Sequence, residues 1–319
     1  MVAGDIYTVV GNGGVAPAAD GTAATETGMQ PFDATVDSNG NLIVTDSWNY
    51  LVRVLAGSTG TFYGQPMTAG DIYTIAGGGT AGDGGPAIDA SLNSPAGVAV
   101  DGDGNIIIAD ELNSRIRVVA TSTGVFYGQS MTAGDIYTIA GNGIRAFTGD
   151  GGPATDASLY VAAGVTVDAA GNVVIADGGN HRVRVVAAAT GTYYGRAMTA
   201  GDIYTVAGNG TYVYSGDGGP ATKAGLTGQL DIATDGHGNI VIPDSGRIRV
   251  IAGSSGTFYG IPMIAGDIYT VAGDGALGYA GDGGQAIQAP LEEPEAVAVA
   301  SSGSLFIGDG IRIRQVAGP

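Results

Sequence analysis

The pentapeptide Gly-Asp-Ile-Tyr-Thr occurs five times in this chain, and no other feature constrains the fold as strongly. The copies begin at Gly4, Gly70, Gly134, Gly201 and Gly266. Successive copies are therefore 66, 64, 67 and 65 residues apart. A near-constant period indicates one supersecondary unit that buries its hydrophobic faces only by stacking on its neighbours. The architecture follows from one copy, and function is to be sought where copies differ.

The copy from Gly164 to Gly208 predicts four strands. Each predicted strand is short, rich in β-branched residues and bounded by Gly, Asn or Asp. The strands cover residues 165–168, 173–176, 183–187 and 203–207. No window keeps an apolar stripe at helical spacing, and the chain contains 59 Gly. The sequence predicts an all-β, five-bladed β-propeller of four-stranded antiparallel blades.

The two ends of the chain each supply part of one copy. Residues 1–5 align with residues 67–71, so the N-terminus begins at a fourth strand, and residues 296–316 supply three strands with no fourth. We expect residues 4–10 to close the ring as the outer strand of the last blade, which would leave no free sheet edge. A single domain of residues 1–319 is predicted, with blades near 33–76, 96–140, 163–207, 229–272 and 295–317 plus 4–10.

Composition excludes several classes of function. The net charge of −18, with only 12 Lys and Arg, is a poor match to a phosphate backbone, so nucleic acid is not an expected partner. The absence of Cys excludes disulfides and thiolate metal sites. No signal peptide or long apolar span is visible, so no membrane insertion is predicted and the location stays unknown.

The repeated text resembles a known family. A pattern at residues 97–118 and 164–185 is similar to the NHL repeat of β-propellers. It begins with Gly-Val-Ala-Val-Asp and continues with Gly-Asn, an apolar strand, Ala-Asp and Arg-Ile-Arg-Val, with small variations between the two copies. The surrounding Gly-Asp-Gly-Gly-Pro-Ala text is similar to bacterial NHL proteins and to the teneurin NHL propeller. The resemblance covers essentially the whole chain. It implies the propeller fold, but such propellers include binding modules, structural domains and a few lyases.

Two sets of charged residues recur in all five copies. An Asp ends each second strand, and an Arg lies on each third strand. These are Asp46, Asp110, Asp177, Asp244 and Asp309, and Arg53, Arg117, Arg184, Arg249 and Arg314. Both faces of a blade pack on neighbours, so each Arg needs a carboxylate or carbonyl partner. We expect structural ion pairs, although the sequence does not say which Asp meets which Arg; a ring of substrate-binding Arg is the alternative.

Several glycine-rich segments mimic ligand loops. Asp101 to Asn105 fails the calcium-loop template, because Gly104 is fourth and Leu112 stands where a bidentate Glu is needed, so a hairpin turn is predicted. The Gly-Asp-Gly-Gly-Pro-Ala segments lie between blades. Their Asp83, Asp150, Asp217 and Asp282 are expected to bind loop backbone amides, with a shared calcium role as the alternative. No cofactor is predicted, and calcium is left open.

Histidine chemistry is excluded by position. His181 follows a second strand and His237 follows a first strand, so the two should lie on opposite faces and share no metal site. Aromatic pairs recur in the turn between third and fourth strands, at residues 62–63, 126–127, 193–194 and 258–259. We expect these pairs to pack under the turn, with sugar stacking as the alternative.

The copies differ most in the turn between second and third strands and in the loops between blades. The residues that differ and that suit binding are Trp48, Tyr50, Arg145, Phe147, Tyr160 and His181. Together with the five repeated Asp they form the predicted ligand surface, with Trp48, the only Trp, as its best candidate contact. An acidic ring there would attract a cation or a positively charged partner.

These observations favour a non-catalytic binding or scaffolding module of a bacterial secreted or envelope protein, expected to be a monomer, with a protein or glycan ligand that the sequence does not name. The rival function is a lyase or hydrolase acting on a polysaccharide, with acidic residues and calcium at the central opening. A purely structural spacer within a larger chain is a third reading.

Overall fold

The alternation of buried β-branched residues with small or polar ones produces short antiparallel strands throughout the computed structural model, which describes residues 5–228 and 231–318. The strands form five main sheets in chain order. In each sheet, strand A hydrogen-bonds to strand B and strand B to strand C; in the first four, strand C then pairs with strand D. These described parts contain no α-helix, and the class of all-β, five-bladed propeller is confirmed.

The strands A to D have the following bounds in the first four sheets. Sheet 1 contains Pro31–Val36, Leu42–Asp46, Leu51–Leu55 and Asp71–Gly77. Sheet 2 contains Pro95–Val100, Ile106–Asp110, Arg115–Val119 and Asp135–Ala140. Sheet 3 contains Ala162–Val167, Val173–Asp177, Arg182–Val186 and Asp202–Ala207. Sheet 4 contains Ala233–Thr234, Ile240–Pro243, Ile248–Ile251 and Asp267–Ala272.

A short edge strand that the sequence did not predict extends each of these four sheets beyond strand D. The edge strands are Thr22–Ala23, Gly85–Pro86, Gly152–Pro153 and Gly219–Pro220. Each comes from the loop that precedes strand A of its own sheet. In sheet 2, the Gly84 amide donates to the Ile136 carbonyl and the Ala87 amide to the Gly134 carbonyl, on either side of the strand. The edge strand can contain Pro because its N–H would otherwise face away from the ladder.

Small elements occupy the turns. A two-stranded hairpin arm connects strands C and D in sheets 1 to 4, formed by Gly60–Phe62 with Gln65–Met67, Gly124–Phe126 with Gln129–Met131, Gly191–Tyr193 with Arg196–Met198, and Gly256–Phe258 with Ile261–Met263. One-turn 3-10 helices cover Ala24–Glu26, Ser47–Asn49, Ala87–Asp89, Glu111–Asn113, Ala154–Asp156, Gly178–Asn180, Ala221–Lys223 and Ala286–Gln288. The arms replace what the sequence predicted as a long turn.

The chain divides into two compact units, residues 1–138 and 139–319, and the division falls within strand D of sheet 2. In the first unit, Val54, Ile75 and Ile108 belong to one buried cluster. In the second unit, Val185, Val206 and Ile242 belong to another. Among the described residues, the structure contains no helix with the length and apolar character needed to cross a membrane. The predicted assignment of residues 1–319 to a single domain stays a prediction.

Sheet 5 has three strands, Pro294–Val299, Leu305–Asp309 and Arg312–Val316. The predicted fourth strand, residues 4–10, falls partly outside the described residues, since the description begins at residue 5. Residues 5–10 form no strand. Closure of the ring by this segment therefore stays a prediction.

Candidate functional site

The turn between strands B and C has the same design in the first three sheets. A 3-10 turn follows the Asp that ends strand B, and its last residue adopts left-handed backbone: Tyr50 at φ 60°, Ser114 at φ 52° and His181 at φ 52°. An Asn inside the turn donates its Nδ2 to both oxygens of that Asp. For Asn49 and Asp46, both distances are 2.9 Å. The Asn and Asp side chains thus fix the backbone of the turn.

Trp48 and Tyr50 occupy the tip of this turn in the first unit, and together we name them the Trp48 surface. The Trp48 side chain is 75% exposed and that of Tyr50 is 50% exposed. Asn49, between them, also donates to the Val15 carbonyl of the preceding loop at 2.8 Å. Two large rings are thus held in water on a turn whose backbone is anchored at two points.

Phe147, Tyr160 and His181 come together in the second unit, around residues 179–182. The Tyr160 ring lies where a Cβ on Gly179 would be, so only Gly fits there. The Phe147 ring lies under the Arg182 guanidinium, with 3.7 Å from Cζ to the ring centroid. Arg145 forms an isolated backbone bridge with Leu159, next to Tyr160.

The structure adds Tyr212 to this group, because its ring centroid lies 5.1 Å from that of His181. Phe147, Tyr160, His181 and Tyr212 are here named the Tyr160 surface. Sequence reasoning missed Tyr212, although the run Thr-Tyr-Val-Tyr in the loop at residues 211–214 was an available signal.

The five repeated Asp residues at the ends of strands B do not form an exposed acidic ring. All five side chains are buried, at no more than 1% exposure. Their oxygens accept hydrogen bonds from backbone amides of the preceding loop, from Gln30, Asn93, Tyr160, Thr227 and Glu292 at 2.6 to 2.9 Å. They therefore position the turns, and the charge that was expected to attract a partner does not reach solvent through these side chains. Their direct contact with a ligand stays a prediction.

Each repeated Arg of strand C pairs with an Asp of the preceding loop. The pairs are Arg53 with Asp20 at 3.2 Å, Arg117 with Asp83 at 2.7 Å, Arg184 with Asp150 at 3.5 Å, Arg249 with Asp217 at 3.2 Å and Arg314 with Asp282 at 2.9 Å. Four of them also approach the buried Asp at the end of strand B, at distances from 2.9 Å for Arg249 and Asp244 to 3.7 Å for Arg184 and Asp177. Burial raises the pKa of Asp177 to about 6 and lowers the pKa of Arg184, because both charges have lost water.

Asp83, Asp150, Asp217 and Asp282 were expected to bind amides of their own loops, but Asp150 and Asp217 bind strand D, whereas Asp83 and Asp282 bind Arg117 and Arg314. Asp150 accepts the amide and the hydroxyl of Thr205 at 2.6 and 2.9 Å, and Asp217 accepts both groups of Thr270. In sheets 1, 3 and 4, the long loop carries its carboxylate to strand D, where it lies between a guanidinium and a Thr. The carboxylates of Asp150 and Asp217 thus connect the loop with strand D of the same sheet.

The hairpin turns predicted between strands A and B are present in sheets 1 to 4, and the structure shows that each is an Asx turn. Asp168 Oδ1 accepts the amides of Ala170 and Asn172, while its Oδ2 accepts Asn172 Nδ2 and the Tyr194 hydroxyl at 2.8 Å. Asp37, Asp101 and Asp235 repeat this arrangement with Tyr63, Tyr127 and Tyr259. The second aromatic residue of each Phe-Tyr or Tyr-Tyr turn thus packs inward, as expected. Burial first, and then the nearby carboxylate, raises the pKa of Tyr194 above its ordinary range.

Groups suited to metal chemistry are dispersed. Within residues 5–228 and 231–318, no three His, Asp or Glu side chains are placed to hold a metal ion. His181 stacks near Tyr212, whereas His237 lies 5.3 Å from the Phe258 ring at an A–B turn. The two His therefore belong to different kinds of turn, as the sequence predicted.

Comparison with known proteins supports the fold. Residues 92–119 and 159–186 match the sequence profile of the NHL repeat. Comparison with curated protein sequences gave no match.

Solved structures similar to this chain include an auxiliary nutrient binding protein from Bacteroides ovatus, at 16% identity and TM-score 0.55, covering 91% of this chain and 59% of that one. The nidogen/laminin complex matches at 14% identity and TM-score 0.52, covering 90% and 75%. A streptogramin B lyase matches at 10% identity and TM-score 0.48, covering 92% and 71%. The chain thus spans about three fifths of the length of the nutrient binding protein. At these identities the likeness is one of fold.

Proposed function

Because the chain is an NHL-repeat propeller whose repeated charged residues serve its own sheets, we propose that it is a non-catalytic binding module that contacts a protein or glycan through its B–C turns. The observation that carries the proposal is Trp48, the only Trp of the chain, which is 75% exposed on a turn anchored by Asn49. A Trp side chain has only two rotatable torsions, so it loses little conformational entropy on binding, and large aromatic residues dominate binding energies.

The Tyr160 surface supports the same role in the second unit. Its Phe147, Tyr160 and Tyr212 rings are partly exposed, and each occurs at a position where the copies differ in sequence. Stacking on sugar rings and packing against apolar side chains both suit such rings. A secreted or envelope location in a bacterium belongs to this proposal as the context in which such a module would act.

Catalysis is the rival function, and the geometry offers it little support. Burial raises the pKa of the carboxyl groups of Asp110, Asp177 and Asp231, and all three accept hydrogen bonds from backbone amides, the first two also from Asn side chains of their turns. A carboxyl group that acts as a general acid or base must reach its substrate. Turnover of a polysaccharide, with or without calcium, would indicate this rival function.

The test is a screen of the protein against a glycan array and a peptide library, followed by titration of each ligand found into Trp48→Ala. We expect binding to weaken at least about tenfold, since truncation of a central aromatic contact commonly costs more than about 1.4 kcal/mol. The matched control is Leu112→Ala, which truncates the residue at the same turn position in the second copy. It should leave affinity unchanged.

Three results would contradict the proposal. One is full affinity of Trp48→Ala for every ligand found. The second is unfolding of this variant, which would make Trp48 a packing residue. The third is turnover of a polysaccharide by the wild-type protein, checked with and without added calcium, which would establish the enzyme.

A further inference from the structure

An aromatic residue from the preceding loop stacks on two guanidinium groups in sheets 3, 4 and 5. The ring centroids lie 3.7, 3.8 and 4.0 Å from the Cζ of the first Arg of strand C, for Phe147 on Arg182, Tyr214 on Arg247 and Tyr279 on Arg312. The Cζ of the second Arg lies 4.8 to 5.3 Å from the same ring. A ring over a cation is an attractive pair, and here it also covers the buried Arg.

Sheet 2 retains both Arg residues, Arg115 and Arg117, but its loop supplies no ring. The segment 77–83 is three residues shorter than its counterpart 141–150, and it contains no Phe, Tyr or Trp. In the place of the ring is a cavity of about 370 Å³, lined by Thr80, Asp83, Asp110, Asn113, Arg115 and Arg117 among others. Cavities of this size hold small ligands.

An unsatisfied hydroxyl belongs to the same sheet. Thr74, Thr205 and Thr270 of strand D each donate their hydroxyl to the loop Asp, at 2.9, 2.9 and 3.1 Å. Thr138 is their counterpart in sheet 2, and within the described ranges its buried Oγ1 has no hydrogen-bond partner. Asp83 Oδ1 is instead bound by Nε and Nη2 of Arg117, at 3.0 and 2.7 Å. A buried hydroxyl without a partner is costly, and its presence calls for an explanation.

Sheet 4 shows which ligand group would satisfy that hydroxyl. There the Tyr214 ring stacks on Arg247, and its hydroxyl lies 3.4 Å from Thr270 Oγ1. A phenol placed in sheet 2 as Tyr214 is placed in sheet 4 would stack on Arg115 and bring its hydroxyl to Thr138. Since two Arg face Asp83 and Asp110 in the lining, the cavity has no excess charge to favour an anion.

We propose that the cavity of sheet 2 binds a phenolic ring, which takes the place that the loop aromatic residue occupies in sheets 3 to 5. The ring belongs either to a small phenol or to the Tyr side chain of a peptide segment. This site is separate from the Trp48 surface, and it holds or fails independently of the binding role proposed for that surface.

The experiment is a titration of the protein of residues 1–319 with p-cresol, followed through the Nε–Hε signals of its Arg side chains in ¹H–¹⁵N NMR spectra. A ligand of this size is expected to bind with a dissociation constant on the order of 1 mM. The Arg115 and Arg117 signals should shift through the ring current, whereas 4-methylcyclohexanol, which has the same shape without the π system, should cause no saturable shift.

Variants test the site from both directions. Arg115→Ala should weaken p-cresol binding about tenfold, and Thr80→Tyr should abolish it by supplying a ring from the loop. Arg182→Ala is the matched control, because it removes the same Arg in sheet 3, where the ring is already present; it should leave the titration unchanged. Tyr214→Ala should open a second site beside Arg247 and Arg249 and thus raise the stoichiometry from one to two.

The source of the ring follows from a second titration with the peptides Gly-Gly-Tyr-Gly-Gly and Gly-Gly-Ala-Gly-Gly. Binding of p-cresol together with tighter binding of the Tyr peptide supports a peptide ligand, and binding of p-cresol alone supports a small phenol. Absence of saturable binding by both probes would overturn the proposal. So would p-cresol binding that survives both Arg115→Ala and Thr80→Tyr in variants with the wild-type melting temperature.

Discussion

In sheet 4, a buried guanidinium connects strand C with the end of strand B and with the preceding loop. Arg249 donates to Asp217 of the loop, to Asp244 at the end of strand B and to the carbonyls of Ser215 and Gly225. Burying such a charge is costly unless its hydrogen-bonding groups are matched, and here carboxylates and carbonyls match them. The repeated Arg thus fix the loop to the sheet.

Asp177 makes the free energy of unfolding depend on pH. Its pKa is raised from the ordinary value of about 3.9 to about 6 by burial, which the hydrogen bonds and Arg184 offset only in part. Between these two values the native state binds more protons than the unfolded chain. The free energy of unfolding contributed by this residue therefore falls as pH rises from about 4 to about 6.

We expect Asp177→Asn to remove that contribution. The melting temperature of the wild type, measured from pH 4 to pH 7, should fall more steeply with pH than that of the variant. Asp103→Asn, at an exposed position in a hairpin turn, is the control and should reproduce the wild-type slope. Identical slopes for wild type and Asp177→Asn would contradict the assignment.

Residue patterns predicted part of this arrangement. The need of each repeated Arg for a carboxylate followed from its position on a strand buried on both faces. The partners did not follow, because Asp20, Asp83 and Asp150 come from loops of different length, whose course depends on tertiary contacts. For the same reason the exposure of Trp48 was inferred from its turn, whereas the contact between His181 and Tyr212 was not.

At the scale of elements, one network of hydrogen bonds sets the A–B hairpin and the C–D arm together. Asp168 binds Asn172 in the hairpin and Tyr194 in the arm, and Asn172 Oδ1 accepts the amide of Ala188 just after strand C. Tyr194 adopts left-handed backbone at φ 51°, which aims its ring under the arm. The Tyr194 hydroxyl and the Asp168 carboxylate therefore tie the arm to the hairpin, alongside the hydrogen bond from Arg196 of the arm to the Thr205 carbonyl of strand D.

We predict that Tyr194→Phe destabilises the protein by about 1.5 to 3 kcal/mol, because it removes a hydrogen bond to a charged, buried acceptor. The measurement is the free energy of unfolding from denaturant titration. Tyr212→Phe, which removes a hydroxyl from an exposed ring, should change it by less than about 0.5 kcal/mol. Equal effects of the two substitutions would show that the arm does not depend on this hydrogen bond.

The strands themselves were largely predictable, since their β-branched residues and bounding Gly, Asn and Asp are local signals. In sheet 3 the predicted bounds differ from the observed ones by three residues or fewer. The edge strands were not predictable, because Gly152–Pro153 has no strand propensity and pairs only because the loop passes strand D. The C–D arms were predicted as turns because strands of three residues are too short to show an alternating pattern.

Within the part of the chain that the structure describes, sheet 5 has no outer strand D such as sheets 1 to 4 have. Ile313 on its strand C is 73% exposed, whereas the counterparts Ile116, Val183 and Ile248 are buried. A cavity of about 420 Å³ is lined by Arg314, Gln315 and Val316 of the same strand, among others. An apolar strand edge in this condition is open to pairing.

We predict that residues 4–8 pair with strand C of sheet 5. Deleting residues 1–8 should lower the melting temperature by several degrees and increase hydrogen exchange of the Ile313 and Gln315 amides, and a synthetic peptide of residues 1–10 should restore protection. The deletion stops before Val10, because that side chain packs with Val44 and Ile72 in the first unit. Unchanged exchange at Ile313 and Gln315 would rule out the pairing.

The short loop before sheet 2 has a consequence for how such a protein can change over time. Its segment 77–83 differs from 141–150 by three residues, which corresponds to an in-frame loss of nine nucleotides. The copies of sheets 3 to 5 encode the longer, ring-bearing version, so recombination between copies within one gene can exchange one version for the other. Relatives could thereby acquire or lose a vacant slot in any blade without altering a single strand, because loop length varies far more freely than the sheets do.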